Sequence, residues 1–448
     1  MANLSRRRFV LASGATAIAT WLMHGCSTGS NLATDSPGKT PAVKINSADV
    51  PETAAVRLGF ISLTDCAPLV IAKVKGYFDK YGMTDVQLIK EPSWSAIRDS
   101  LELAGEGGGI DGAHILSPMP YLMSEGRITA RKIPMYILAR LNLNGQGISI
   151  ANAYQELKVG IASTPFFPKV LAAKKSGKLF RYAVTFPGGT HDLWMRYWLA
   201  SGGIDPDRDA KALLIPPPQM VVNMRENSMD ACCVGEPWNA KLIGEKLGYS
   251  VLTTGELWKN HPEKAFTMRA DWVDANSKAA KALLMAIQEA QIWCDKSENK
   301  QEMAAIISGK EWVRTDLESI LKRAKGDFDY GDGRVESGSP HIMKFWSENA
   351  SYPYKSHDLW FITENMRWGY LPADIDAKKL VDAVNREDLW RDAAKAIGQE
   401  SAIPKSTSRG VETFFDSFQF DPENPSVYLE SLDIKFAGTR SLDETIGN

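Results

Sequence analysis

Cysteine and net charge are both scarce in this 448-residue chain, which has five cysteines and a formal net charge of -2 at pH 7. So few and so irregularly spaced cysteines do not make a disulfide framework. Basic side chains form no run beyond the N-terminus, so we expect neither nucleic acid nor an anionic surface as a partner. The composition, 44% hydrophobic and 24% charged, is that of a globular protein with a sizeable core. A site for an anion would therefore depend on a few nearby side chains and not on the charge of the whole protein.

The motifs of common enzyme and metal sites are also absent from the sequence. There is no Gly-x-Ser-x-Gly turn, no P-loop, no His-Glu-x-x-His helix and no paired Cys-x-x-Cys zinc ligands. The glycine cluster at 105–109 follows an expected helix and not a strand, so it does not meet the requirement of a dinucleotide loop. The aspartates at 327–333 lack the spacing of a calcium loop. We therefore expect neither a metal nor a cofactor.

The first 26 residues have the features of an export signal. Arg6-Arg7-Arg8-Phe9 precedes an uncharged, largely apolar run, which is typical of a twin-arginine signal. The run leads to Met23-His24-Gly25-Cys26, which resembles a bacterial lipobox with Cys26 as the lipidated residue. An ordinary signal with an incidental cysteine is the alternative. Residues 27–52, rich in small and polar side chains, predict a flexible tether, so we expect a lipid-anchored protein on the periplasmic side of the cytoplasmic membrane.

Short apolar runs alternate with helical segments through the rest of the chain. This alternation predicts an α/β fold with parallel sheets. The pattern occurs in two series, so we expect two lobes, with crossings at Ala151–Gln155 and Asn260–Phe266. The predicted boundaries are 53–152 for the first part of lobe 1, 153–260 for lobe 2, and 261–448 for the second part of lobe 1 with a helical C-terminal extension.

The stretch from Val184 to Trp198 predicts an anion site in the cleft between these lobes, where ligands of open α/β sheets bind. An apolar run ends at Pro187, a Gly-Gly turn follows, and Thr190 stands where a helix N-cap is expected. The first turn of a helix presents unpaired N–H groups and the positive end of its dipole. His191 adds a donor that can become a cation. These features alone fit phosphate, a sulfonate or a carboxylate.

Several longer segments resemble the cyanobacterial nitrate and bicarbonate binding proteins of ABC importers, within the broader group of nitrate, sulfonate and taurine solute-binding proteins. They are Leu-Thr-Asp at 63–65, Asp-Gly-Ala-His-Ile-Leu-Ser-Pro-Met-Pro at 111–120, Phe-Pro-Gly-Gly-Thr-His-Asp at 186–192, Pro-Pro-Pro-Gln-Met at 216–220, Val-Gly-Glu-Pro-Trp-Asn at 234–239 and His-Pro-Glu-Lys-Ala-Phe at 261–266. The resemblance covers nearly the whole mature length. It implies a two-lobe periplasmic-binding-protein fold of type II, a C-clamp that closes over one small anion and then docks on a membrane permease.

The resemblance also implies which residues line or order the anion pocket. They are Trp94, Gln146, His191, Asp192, Gly235, Glu236 and Lys264. Bicarbonate members of the family have an acidic residue at the position of Lys264, which helps to hold a calcium ion. A lysine there favours nitrate, a planar monoanion with acceptor oxygens only. We expect Asp192 to orient His191 or the helix dipole, and Glu236 to be a partner of Lys264 or His191. Whether His191 or Lys264 carries the decisive positive charge is open.

The sequence thus predicts a high-affinity extracytoplasmic solute-binding component of an ABC importer. We expect it to capture nitrate, with nitrite as a second ligand, and to deliver it to the permease subunits. It is expected to act as a monomer, tethered through its N-terminal lipid, and not as an enzyme. A bicarbonate-binding protein of the same family is the first alternative. An enzyme on the same scaffold, acting through His191 and a carboxylate, is the second.

Overall fold

Two five-stranded sheets form the centre of the molecule in a computed structural model that describes residues 49–435. The strands are β1 (Ala55–Phe60), β2 (Asp85–Lys90), β3 (Gly112–Leu116), β4 (Met135–Arg140), β5 (Gln146–Ala151), β6 (Phe180–Val184), β7 (Ala210–Leu214), β8 (Ala231–Gly235), β9 (Gly248–Thr253), β10 (Lys264–Arg269), β11 (Phe328–Asp329), β12 (Val335–Glu336), β13 (Glu412–Thr413) and β14 (Gln419–Phe420). β11–β12 and β13–β14 are small separate pairs, so the other strands define the two lobes.

Helices pack against both sheets. They are α1 (Ala67–Val74), α2 (Tyr77–Lys80), α3 (Trp94–Leu103), α4 (Met119–Ser124), α5 (Phe167–Lys175), α6 (Thr190–Ser201), α7 (Met220–Arg225), α8 (Trp238–Gly244), α9 (Thr254–Leu257), α10 (Ala270–Ala275), α11 (Ser277–Asp295), α12 (Lys300–Ile307), α13 (Leu317–Lys325), α14 (Lys355–Arg367), α15 (Ala377–Val384), α16 (Glu387–Ala396) and α17 (Pro425–Ser431). Within residues 49–435, none of these helices is both long and apolar enough to span a membrane.

Both sheets are mixed, so the prediction of parallel sheets is wrong in this respect. The first sheet has the order β2-β1-β3-β10-β4, in which β10 runs antiparallel to both β3 and β4. The second sheet has the corresponding order β7-β6-β8-β5-β9, in which β5 runs antiparallel to both neighbours. β5 and β10 are the first strands formed after each crossing between the lobes. No helical crossover connects them to a neighbour in their own sheet, so the rule for parallel strands does not apply to them.

The chain crosses between the sheets at 141–145 and again at 254–263. The first crossing precedes the predicted Ala151–Gln155, because Gln146–Ala151 pairs with β8 and β9 and so belongs to the second lobe. The second crossing overlaps the predicted Asn260–Phe266 and ends where β10 begins. The two crossings lie side by side, and they place Gln146 and Lys264 at the starts of strands in different lobes.

Helix α14 connects the C-terminal region to both lobes. Asp358 of α14 forms a buried ion pair with Arg140, the last residue of β4. Asn385 donates to the same carboxylate at 2.7 Å. On the side of the second lobe, Trp360 of α14 stacks on Trp194 of α6, with ring centroids 4.9 Å apart. The C-terminal region therefore packs against α6, the helix that carries His191.

The predicted signal, Cys26 and most of the predicted tether lie outside residues 49–435 and stay predictions. Within the described range, the cysteines are buried and free. Cys232 and Cys233 lie in β8, the buried strand that their apolar neighbours predict. Cys294 lies on the buried face of α11, as the helical spacing of its neighbours predicts.

Candidate anion-binding site

The turn between β6 and α6 carries the predicted anion-binding stretch into the cleft. Gly188 has a φ of 69°, and a Cβ there would lie 2.6 Å from Asn365 Oδ1, so the turn requires glycine. The sequence predicts Thr190 as the N-cap of α6, but the structure has Gly189 at that position. The Thr190 hydroxyl instead donates to the buried Glu263 carboxylate. A charge-assisted bond of this kind is stronger than a neutral cap, which explains the difference.

His191 is buried in the first turn of α6 and is bonded through both ring nitrogens. Nδ1 lies 2.5 Å from Thr185 Oγ1, and Nε2 lies 2.6 Å from Gln146 Oε1. An amide oxygen only accepts, so the proton is assigned to Nε2, and Nδ1 accepts from the Thr185 hydroxyl. Burial and the nearby Lys264 ammonium lower the pKa of His191 well below its ordinary value. His191 is therefore a neutral donor.

Lys264 supplies the positive charge of the site. Its Nζ has no exposed surface and lies 3.0 Å from Asp65 Oδ2 and 2.8 Å from Glu263 Oε1. Burial by itself lowers the pKa of Lys264, but these two carboxylates outweigh burial and raise it. An ammonium has three N–H groups, and the described residues supply acceptors for two of them. The third N–H has no acceptor among the described residues.

Trp94, the first residue of α3, forms an aromatic wall beside this ammonium. Its indole ring is fully buried, with the ring centroid 5.7 Å from Lys264 Nζ and 5.4 Å from the His114 ring. Among the described residues, Trp94 Nε1 has no hydrogen-bond partner. A buried donor without an acceptor costs about 1–3 kcal/mol. A ligand oxygen that reached Nε1 would remove this cost.

Asp65 organises the first-lobe side of the site. Its Oδ1 lies 2.6 Å from His114 Nε2, and its Oδ2 accepts from Gln146 Nε2 at 3.3 Å as well as pairing with Lys264. Burial alone raises the pKa of Asp65, but Lys264 and His114 outweigh burial and hold that pKa well below its ordinary value. Asp65, His114 and Glu263 are not among the pocket residues predicted from the sequence. They do lie in the segments 63–65, 111–120 and 261–266 that carry the family resemblance, at or near strand ends.

Gly235 allows the Gln146 amide to reach both lobes. It lies opposite Gln146 in the β5–β8 ladder, where an added Cβ would be 2.7 Å from Gln146 Oε1 and 3.0 Å from Leu63 Cδ2. The adjacent Glu236 carbonyl accepts from the Thr64 N–H at 2.8 Å, which joins the lobes through the backbone. The structure therefore brings five of the predicted residues together, namely Trp94, Gln146, His191, Gly235 and Lys264.

The Asp192 side chain lies apart from this cluster. It accepts from Arg196 Nε at 2.9 Å, from the Tyr370 hydroxyl at 2.6 Å and from the Gly188 N–H at 2.9 Å. It does not orient His191, contrary to one of the two roles expected for it. Adjacent residues on a helix point in different directions, and the buried Arg196 guanidinium requires a carboxylate.

The Glu236 side chain also points away from Lys264 and His191, so its predicted pairing is wrong. Glu236 Oε1 lies 3.3 Å from Arg323 Nε, and Oε2 accepts from the Ala240 N–H at 3.1 Å. Burial raises the pKa of Glu236, and Arg323 opposes this. The partner comes from α13, a segment in which the sequence offers no functional signal.

Two α/β lobes that share a buried, charged site between adjacent crossings define a solute-binding protein of the periplasmic-binding-protein fold. Residues 49–308 match the NMT1-like family. The nitrate/nitrite binding protein NrtA of Nostoc sp. is 57% identical over 442 residues, which cover 97% of this chain and 100% of the relative. The bicarbonate-binding protein CmpA of Synechococcus elongatus is 40% identical, with 97% of this chain and 99% of the relative covered.

A crystal structure of the periplasmic nitrate-binding protein NrtA from Synechocystis PCC 6803 has the same fold. Its TM-score is 0.84 at 56% identity, and the match covers 86% of this chain and 100% of that one. The chain therefore belongs to the NMT1-like family and, within it, to the nitrate/nitrite binding proteins. The resemblance and the two-lobe fold predicted from the sequence are both confirmed.

We expect Gly235→Ala to weaken nitrate binding about tenfold, because its Cβ displaces Gln146 from Asp65 or from His191 and removes a buried hydrogen bond. Gly244→Ala is the matched control, since no atom lies within 4 Å of its added Cβ. Titration calorimetry compares the two variants. Equal affinities would contradict the role of Gly235.

His191 is expected to stay neutral, with its proton on Nε2, at neutral and mildly acidic pH, because burial and the Lys264 ammonium lower its pKa. In the unfolded chain, the imidazole binds a second proton near pH 6.5, whereas in the folded chain it does not. His191 therefore reduces the free energy of unfolding as the pH falls below about 6.5. ¹⁵N NMR of histidine-labelled protein measures the ring state, with the urea-unfolded chain as the control. A titration midpoint near 6.5 in the folded protein would contradict this assignment.

Proposed function

We propose that this protein is the high-affinity extracytoplasmic solute-binding component of an ABC importer. In this proposal it captures nitrate, with nitrite as a second ligand, and delivers it as a monomer to the permease subunits. The observation that carries the proposal is the buried Lys264 ammonium. Within residues 49–435, one of its N–H groups has no acceptor, and the nearby Trp94 indole N–H has no partner. The names of the nitrate-binding relatives agree with it.

The chemistry of the available donors favours nitrate over bicarbonate. Nitrate carries three acceptor oxygens and no hydrogen, so an ammonium and an indole N–H suit it without a metal. Bicarbonate carries a hydroxyl and needs an acceptor as well. The carboxylates near Lys264 are already engaged, Asp65 by three donors and Glu263 by Thr190, Trp194 and Lys264.

The contacts of His191 support binding without catalysis. Both of its ring nitrogens are bonded to protein groups, so neither is free to take a proton from a ligand. Asp192, the adjacent carboxylate, pairs with Arg196 and Tyr370 instead. His191 and Asp192 therefore do not form the acid–base pair that the alternative function as an enzyme would require.

Titration calorimetry of the signal-free chain tests the ligand. We expect nitrate to bind in the absence of calcium, and bicarbonate to give no heat either alone or with calcium. Nitrite in the same cell measures the second ligand. Calcium-dependent binding of bicarbonate, with nitrate silent, would contradict the proposal.

Lys264→Met is expected to weaken nitrate binding by about 1.5–3 kcal/mol, the range for a hydrogen bond to a charged group, or roughly one to two orders of magnitude in Kd. The single variant leaves both Asp65 and Glu263 without their ammonium. Lys264→Met with Glu263→Gln therefore tests binding when Asp65, which keeps its hydrogen bonds to His114 and Gln146, is the one carboxylate of this pair that has lost its ion pair. The exposed Lys278→Met is the control and keeps wild-type affinity. An unchanged Kd in both Lys264 variants would show that Lys264 does not face the ligand.

We further propose export by a twin-arginine signal and lipid attachment at Cys26. Cys26→Ser is then expected to move the protein from the membrane fraction to the soluble periplasmic fraction, whereas Ser27→Ala stays with the membrane. Fractionation and the mass of the N-terminal peptide give the result. Retention of Cys26→Ser on the membrane would contradict the lipid anchor.

A further inference from the structure

A cavity adjoins the Lys264 site at Gln146. We call it the Lys300 cavity. Its polar lining residues are Thr64, Gln146, Glu236, Thr253, Lys300, Arg323 and His341, and apolar side chains complete the lining. Its volume is about 10 Å³ for the centre of a water-sized sphere, which is about the least that holds one water molecule or small ion. None of the interactions described for the Lys264 site uses Lys300, Arg323 or His341.

Lys300, the first residue of α12, is 4% exposed, and its Nζ has no hydrogen-bond partner among the described residues. The carboxylate paired with it is that of Asp295, at 3.9 Å, and its two oxygens accept from the N–H groups of Phe345 and Ser347. Nζ also stands 5.3 Å from the centroid of the Phe345 ring. Burial lowers the pKa of Lys300, and the Asp295 carboxylate only partly opposes this.

Arg323 adds a second unsatisfied cation donor to the same cavity. The guanidinium is 5% exposed, pairs through Nε with Glu236 and donates through Nη2 to the Asp329 carbonyl at 3.1 Å. Its Nη1 has no partner in the described part of the chain. The hydroxyl of Thr64, which lines the same space, is unpartnered as well.

An ammonium and a guanidinium only donate, so the occupant of this cavity has to accept. A water molecule accepts from at most two of the three donors, which are those of Lys300, Arg323 and Thr64, and leaves the third unsatisfied. A halide accepts from every side and can satisfy all three. We propose that the Lys300 cavity binds one small monovalent anion of the halide class, which lies against Lys300, Arg323 and the Thr64 hydroxyl.

Such an anion would stabilise the contacts between the two lobes at Glu236. Arg323 and Thr64 already contact Glu236 of the second lobe, through its carboxylate and its carbonyl. A bound halide would hold the first-lobe cations in place beside this residue. This site does not rest on the identity of the ligand beside Lys264.

Bromide is the probe, because its anomalous scattering separates it from water in a crystal. Crystals of the wild-type chain grown in sodium bromide are expected to show an anomalous peak between Lys300 Nζ and Arg323 Nη1. A water without anomalous signal at that position, or a peak beside Lys264 only, would overturn the proposal.

Thermal unfolding gives a second test in solution. Sodium bromide, compared with sodium gluconate at equal ionic strength, is expected to raise the melting temperature of the wild type by about 2 °C or more. The exposed Lys296→Met keeps this rise, and Lys300→Met loses it. An equal rise in melting temperature in Lys300→Met and in the wild type would overturn the proposal. Bromide bound beside Lys264 would raise both temperatures alike, so only the difference between the two proteins reports on the Lys300 cavity.

Discussion

A lysine ammonium buried at the meeting point of two lobes must have opposite charge beside it, and most of the site follows from this requirement. Asp65 and Glu263 supply that charge to Lys264. Asp65 also holds His114 and Gln146, whereas Glu263 accepts from Thr190 and Trp194 of the second lobe. The partners of one ammonium therefore reach into both lobes. The contacts that join the two lobes and the contacts that order the site therefore belong to one network.

The same network determines how much positive charge the ligand meets. Burial and Lys264 keep His191 uncharged, so the site offers a single ammonium and not two cations. Glu263, whose pKa burial raises against the opposing effect of Lys264, limits that charge further. A single ammonium that is shared with two carboxylates disfavours phosphate and other doubly charged ligands. The question that the sequence leaves open, whether His191 or Lys264 is the cation, is answered by their surroundings.

Local patterns in the sequence predicted what depends on neighbouring residues. The buried strand around Cys232, the apolar face of α11 and the presence of a helix after the Gly188-Gly189 turn all follow from spacing and composition. The family resemblance added Trp94, Gln146, Gly235 and Lys264. The sheet to which a strand belongs is harder to predict, because an apolar run does not show which sheet it joins. The boundary predicted at residue 152 assigns β5 to the first lobe, but β5 pairs with β8 and β9 in the second sheet. The partners of Asp192 and Glu236 are far away in sequence, so only the folded chain shows them.

In the proposed function, Lys264 is a permanent ammonium that meets the ligand directly. ¹⁵N NMR of the Lys264 side chain tests this most directly, because ammonium and amine nitrogens have distinct shifts. We expect an ammonium signal at neutral and mildly alkaline pH that shifts on addition of nitrate and is unchanged by bicarbonate with calcium. A neutral amine, or an ammonium signal that nitrate leaves unchanged, would contradict it.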